Sequence, residues 1–194
     1  MLQELTQEIE NTARAVLGDI HTALPGRIVS FDAVNNVAVI QPAGKFVTSD
    51  RQELNYPQIT EVPVVFPFCP SAGVGLAFPL RTGDSCIVII SEVELDAWRN
   101  GAESEGSLRF DLTSAMAIPG LLESGSRNDL VKKAAELDAL VLGASGTEVV
   151  VSGAGVRVDT GAVQFEVSDS GIAIGGNLTV EGNISYTGSC QQVK

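Results

Sequence analysis

The chain has 194 residues and a formal net charge of −12 at pH 7, from 12 Lys and Arg against 24 Asp and Glu. That acidic balance excludes a protein whose affinity comes from neutralising the phosphates of duplex nucleic acid. With 44% hydrophobic residues, only 5% aromatic residues and 20 glycines, it reads as a folded chain built from small side chains rather than a disordered one.

No stretch reaches the roughly eighteen consecutive apolar residues of a membrane-spanning helix, and Glu4, Glu8 and Glu10 stand where a signal peptide would be basic. A soluble chain made in the cytosol is the expectation, on which the glycosylation patterns Asn177-Leu-Thr179 and Asn183-Ile-Ser185 are coincidental. Cys69, Cys86 and Cys190 are odd in number and widely spaced, which fits reduced thiols rather than a disulfide framework or a paired-cysteine metal site.

Residues 1–23 place Leu2, Leu5, Ile9, Ala13, Val16 and Ile20 three and four apart, one apolar stripe on an amphipathic helix. Leu24-Pro25-Gly26 stops it. The stripe must bury against the following domain or against the same helix of a neighbouring subunit, and sequence leaves both open.

From Arg27 the period changes to two. Ile28 to Asp32 and Val37 to Gln41 form a hairpin about Asn35-Asn36, since asparagine tolerates positive φ. Ile59 to Phe68 is apolar but carries Pro63 and Pro67, an edge strand. Leu76 to Pro79 and, after the turn Arg81-Thr-Gly-Asp84, the run Cys86 to Ile90 complete about five strands. Five short strands without an intervening helical pattern predict a small antiparallel, OB-fold-like barrel over 24–95. Residues 96–140 read as a connector with a short helix following Asn128.

Residues 141–194 hold ten of the twenty glycines. Between them apolar residues alternate: Val149 and Val151, Val156 and Val158, Val163, Phe165 and Val167, Ile172 and Ile174, Leu178 and Val180. Repeats this short cannot bury an apolar face alone. Several copies around one axis can, each placing these eleven residues in a shared trimer core while Arg157, Asp159, Glu166 and Thr179 face water. An intertwined triple-stranded β-helix formed as a homotrimer is therefore expected, in a mainly β chain.

Chemistry is hard to place on this sequence. Cys86 opens an apolar strand, and the sole histidine, His21, lies near the end of the first helix, so no base stands beside a thiol. His21 reads as a helix C-terminal residue favoured by the dipole. Cys190 could meet its symmetry mates to bind metal or crosslink, but reads as a free terminus. Gly153-Ala-Gly155 and Gly175-Gly176 lie between short strands with no helix after them, so they are turns rather than phosphate loops. No spacing fixes Glu92, Glu94 and Asp96 as an acid and base pair. No catalytic site, metal site or cofactor is expected.

An N-terminal helix, a small barrel and a glycine-punctuated Val/Ile repeat, in that order, resemble the central spike proteins of contractile tails in Mu-like phages and related particles. Three segments carry the resemblance: Leu24-Pro-Gly-Arg-Ile-Val-Ser-Phe-Asp32 with Val37-Ala-Val-Ile-Gln41, Leu80-Arg-Thr-Gly-Asp84, and Phe110-Asp-Leu-Thr-Ser-Ala-Met-Ala-Ile-Pro-Gly120, the last resembling the segment that leads from barrel to shaft. It implies a non-enzymatic homotrimer in the tail baseplate of the virion that pierces the host envelope on contraction. Its implied partners are tail tube or hub and baseplate proteins, with transient contact with the host outer membrane and none with nucleic acid. Many such spikes end in a His-x-His iron site, and here no histidine follows His21, so a separate tip protein is the expected cap. The alternatives are a trimeric adhesin or tail-fibre module binding a host receptor, for which the exposed-loop aromatics are mainly Tyr56, Trp98 and Tyr186, and an OB-fold binder of single strands or sugars. Phe31, Phe46 and Phe66 read as core rather than as that binder's stacking platform.

Overall fold

The computed structural model describes residues 2–18, 20–48, 51–103, 110–126, 128–185 and 187–188. They divide into two units, Met1–Ser124 and Gly125–Lys194.

The first unit opens with α1 (Leu2–Gly18), whose described apolar residues Leu5, Ile9 and Val16 are exposed. It continues with β1 (Ala23–Asp32), β2 (Val37–Pro42), β3 (Lys45–Val47), β4 (Glu53–Asn55), β5 (Ile59–Pro63), β6 (Phe68–Cys69), β7 (Val74–Gly75), β8 (Ser85–Ile90), α2 (Leu95–Arg99) and β9 (Ala115–Pro119). Five of these strands form one antiparallel sheet in the order β5-β2-β1-β8-β9. The sheet curls until its edges meet: Val64 and Ala117 form a parallel bridge, and the Val65 N–H donates to the Ala117 carbonyl at 2.8 Å. Period-two patterning explains the interior, with Ala38 and Ile40 of β2 and Cys86, Val88 and Ile90 of β8 all buried beside Ile28, Val62, Val64 and Ala117.

The closing strand differs from expectation. Leu76–Pro79 forms no strand, and the fifth place in the sheet is taken by β9, from the stretch read as connector. Two further hairpins, β3 with β4 and β6 with β7, add to the predicted strands. The proline-bearing β5 does lie at a sheet edge, where its missing donors cost least.

The family-like segments have structural work to do. Asp32 accepts from the Val34 N–H at 2.9 Å and from the Asn35 amide at 2.7 Å, and Asn36 takes φ 54°, so the β1–β2 turn forms where the asparagines predicted it. Pairing of β1 with β2 shifts between Ile28 and Ser30, and the turn 81–84 fills that irregularity. Ile28 donates to the Asp84 carbonyl and accepts from the Gly83 N–H, both at 2.8 Å, while Thr82 Oγ1 donates to the Val29 carbonyl. Further on, Asp111 caps a short 3-10 turn by accepting from Thr113, leading the chain into β9.

The second unit comprises α3 (Asp129–Leu137), β10 (Leu140–Ala144), β11 (Thr147–Ser152), β12 (Gly155–Asp159), β13 (Gln164–Ser168) and β14 (Gly171–Gly175). Its strands pair in chain order, each antiparallel to the next. Tight turns cause this: Ser145-Gly146, for example, has φ 46° and 95°, the doubly positive pair of a two-residue hairpin. Within one chain these turns build a meander of hairpins rather than an intertwined winding. Residues 177–185 form no strand, so Leu178 and Val180 do not extend the sheet. β10, before the repeat, supplies the fifth strand.

Candidate assembly interface

Register determines which side chains share a face of the second unit's sheet. Leu142, Val149, Val158, Phe165 and Ile174 stand directly opposite one another across five strands. Leu140, Val151, Val156, Val167 and Ile172 do the same two residues along. These are two parallel apolar rows on one face, each roughly 20 Å long from four strand spacings of about 4.8 Å. Eight of the eleven residues expected in a trimer core lie in them; Leu140 and Leu142 were missed because they follow directly on a helical pattern. Val163 sits in the β12–β13 loop, exchanging hydrogen bonds with Thr160, and Leu178 and Val180 lie beyond the last strand.

The opposite face is built differently. It carries Val150, Arg157 and Glu166 in one row and Gly143, Glu148, Asp159 and Gln164 in the next. α3 lies on this side: Leu130 fills the space above Gly143, Lys133 pairs with Glu148, and Leu137 shares a small pocket with Val150 and Arg157. Val150 is accordingly the one buried hydrophobic residue described in this unit, at 7% exposure. Asp159 sits at the β12–β13 turn, where the Gly161 N–H and then the Gln164 amide hold its carboxyl below the usual range.

Among the described residues of this unit, nothing covers the two apolar rows in this way. Leu140, Leu142, Val151, Val156, Phe165, Val167, Ile172 and Ile174 are all exposed, with Val149 and Val158 half-buried. A contiguous apolar face of this kind marks an interaction surface rather than ordinary exposed side chains.

Other sequence candidates fall elsewhere. Cys86 is fully buried in the barrel, and burial pushes its thiol up to about 11, which makes it a packing residue. Cys69 is exposed, and Cys190 and Tyr186 lie outside the described residues. α1 ends at Gly18, so His21 is not in its last turn; its N–H donates to the Phe110 carbonyl, and its ring meets Tyr56 edge-on at 5.6 Å. Asp96 and Trp98 lie on α2, Glu92 and Glu94 ahead of it. Phe66 packs edge-on against both Phe31 and Phe78 beside an open cleft of about 670 Å³; Phe31 and Phe66 are half-buried against the barrel core, as their reading as core residues expects, whereas Phe78 is exposed and Phe46 is exposed against Tyr56. Among the described residues no group of three His, Cys, Asp or Glu side chains could hold a metal ion, and no helix is long and apolar enough to cross a membrane.

Residues 24–120, from the start of the barrel to the end of its closing strand, match the family described as phage protein Gp138 N-terminal domain. The chain belongs to that family. Membership makes it a phage protein and supports a structural, virion-borne role. The matched span coincides with the curled sheet and includes β9, which joins the third resembling segment to the barrel. No curated protein matches the chain.

Proposed function

We propose that this chain is the central spike of a contractile tail baseplate, a homotrimer that pierces the host cell envelope when the tail contracts. The observation that carries the reading is the pair of five-residue apolar rows on a sheet face that, among the described residues, nothing in its own unit covers. Three such faces turned to a common axis bury one another and give a three-sided β-helical prism. Bending that prism distorts three main-chain ladders together, and stiffness is what piercing demands.

The barrel supports the same reading. Taken in chain order its strands run third, second, first, fourth, fifth, with a parallel bridge from third to fifth, an OB-like arrangement in a phage domain family. In this role the protein is not an enzyme and takes no cofactor. Its partners are tail tube or hub, surrounding baseplate proteins, a separate tip protein at the C-terminal end and, transiently, the host outer membrane. The half-exposed aromatic cleft favours a second reading, a trimeric adhesin or tail-fibre module.

Gold-labelled antibody against the protein, imaged on intact particles, tests the proposal. Label on the axis at the distal end of the tail is expected. Label along lateral fibres would favour the adhesin, and label on the capsid would contradict both.

A further inference from the structure

Among its described side chains α1 leaves an apolar seam unpartnered, and its spacing specifies what covers it. Leu2, Ile9 and Val16 occupy one position of a seven-residue repeat and Leu5 and Thr12 another, alternately three and four apart. Leu5, Ile9 and Val16 are each more than half exposed, and a shallow groove runs between Leu5, Ile9, Thr12 and Ala13. A lone helix of 17 residues is marginal in water, so the seam needs a partner.

We infer that the α1 helices of three copies pack on one another as a short parallel bundle through this seam. The inference rests on the homotrimeric reading above. Copies related by rotation about one axis present their helices parallel and in register. In that arrangement the residue flanking the seam on one helix faces the residue five positions on in the next. Glu8 is the one charge flanking the seam, and it meets Ala13, so no like charges oppose each other. Glu4, Glu10 and Arg14 fall on the outside. In the sequence Ala13 and Ala15 flank the seam on either side, the broader apolar stripe of a bundle rather than of a two-stranded coil.

The test uses the full chain with Cys69→Ser and Cys190→Ser, adding Ile9→Cys in the seam or Gln7→Cys on the outer face. Mass by light scattering is read beside disulfide formation under mild oxidation. A trimeric mass, with Ile9→Cys crosslinking at least about tenfold faster than Gln7→Cys, supports the bundle, because tethered seams meet at roughly millimolar effective concentration. Only two chains of each three can link, since three cysteines on one axis leave one unpaired. A trimeric mass with equal or absent crosslinking overturns the bundle and leaves the spike standing. A monomeric mass overturns the homotrimer, and the bundle with it. Ile9→Asp gives a second reading: the trimer is kept and helical circular dichroism falls, whereas unchanged helix content counts against the seam.

Discussion

Gly26 shows how narrowly the barrel interior is filled. A Cβ there would lie 2.8 Å from Ile40 Cγ2 and 3.0 Å from Val88 Cγ2, both on fully buried residues. Gly26→Ala is therefore expected to destabilise the barrel by about 1–3 kcal/mol, the usual cost of overpacking, read as a lower urea midpoint. The two described thiols should separate in the same experiment: with Cys190→Ser, a thiol reagent is expected to titrate Cys69 in the folded protein and Cys86 only across unfolding. Three carboxyls contribute to the pH dependence of stability in acid. The Asn35 amide at Asp32, the Thr113 hydroxyl at Asp111 and the Gly161 N–H at Asp159 each hold the folded carboxyl below its usual 3.8. The unfolded chain then takes up protons first, so this contribution is whole above about pH 5 and is lost as pH falls below 4. The urea midpoint should decline over that window, and less steeply in Asp111→Asn. At this scale much was legible: Asn36 at its positive φ and Cys86 inside the barrel follow from residue type and neighbours. The position of His21 against Tyr56 was not, because it depends on a fold-wide approach of residues 35 apart in sequence.

Strands were legible where alternation was strict and flanked by turn residues. β1, β2, β8 and β11 were legible as short apolar runs bounded by turn residues, while β12 to β14 have that alternating form. β9 does not: Ala-Met-Ala-Ile-Pro offers no polar alternate, and its role is set by β8 and by the bridge to Val64. Leu178 and Val180 alternate correctly yet form no strand, because alternation supplies a face but no ladder partner. The candidate interface was legible as a parity, since even a five-strand register keeps odd-numbered Val149, Val151, Phe165 and Val167 on one side. That α3 covers the other side could not be read, because it turns on Gly143 admitting Leu130 and on Glu148 reaching Lys133. The interface makes an element-level prediction. Ile174→Asp places a charge in the apolar row, three times over in a trimer, and is expected to give monomers because unpaired buried charges are not tolerated. Glu166→Ala, on the opposite face of the neighbouring strand, should leave the mass unchanged.

For the whole molecule, the family membership covers the barrel and the apolar rows lie outside it, at 140–174. The proposed spike therefore requires both in one assembly. The net charge of −12 fits a surface that neither binds nucleic acid nor adheres to anionic lipid. Everything distinctive in the proposal follows from three sheet faces covering one another. Light scattering of the purified full chain on a sizing column tests that most directly. The expected result is a particle of about three times 20.3 kDa that elutes earlier than a compact protein of equal mass. A stable monomer of 20.3 kDa, with its apolar rows open to solvent, would contradict the account.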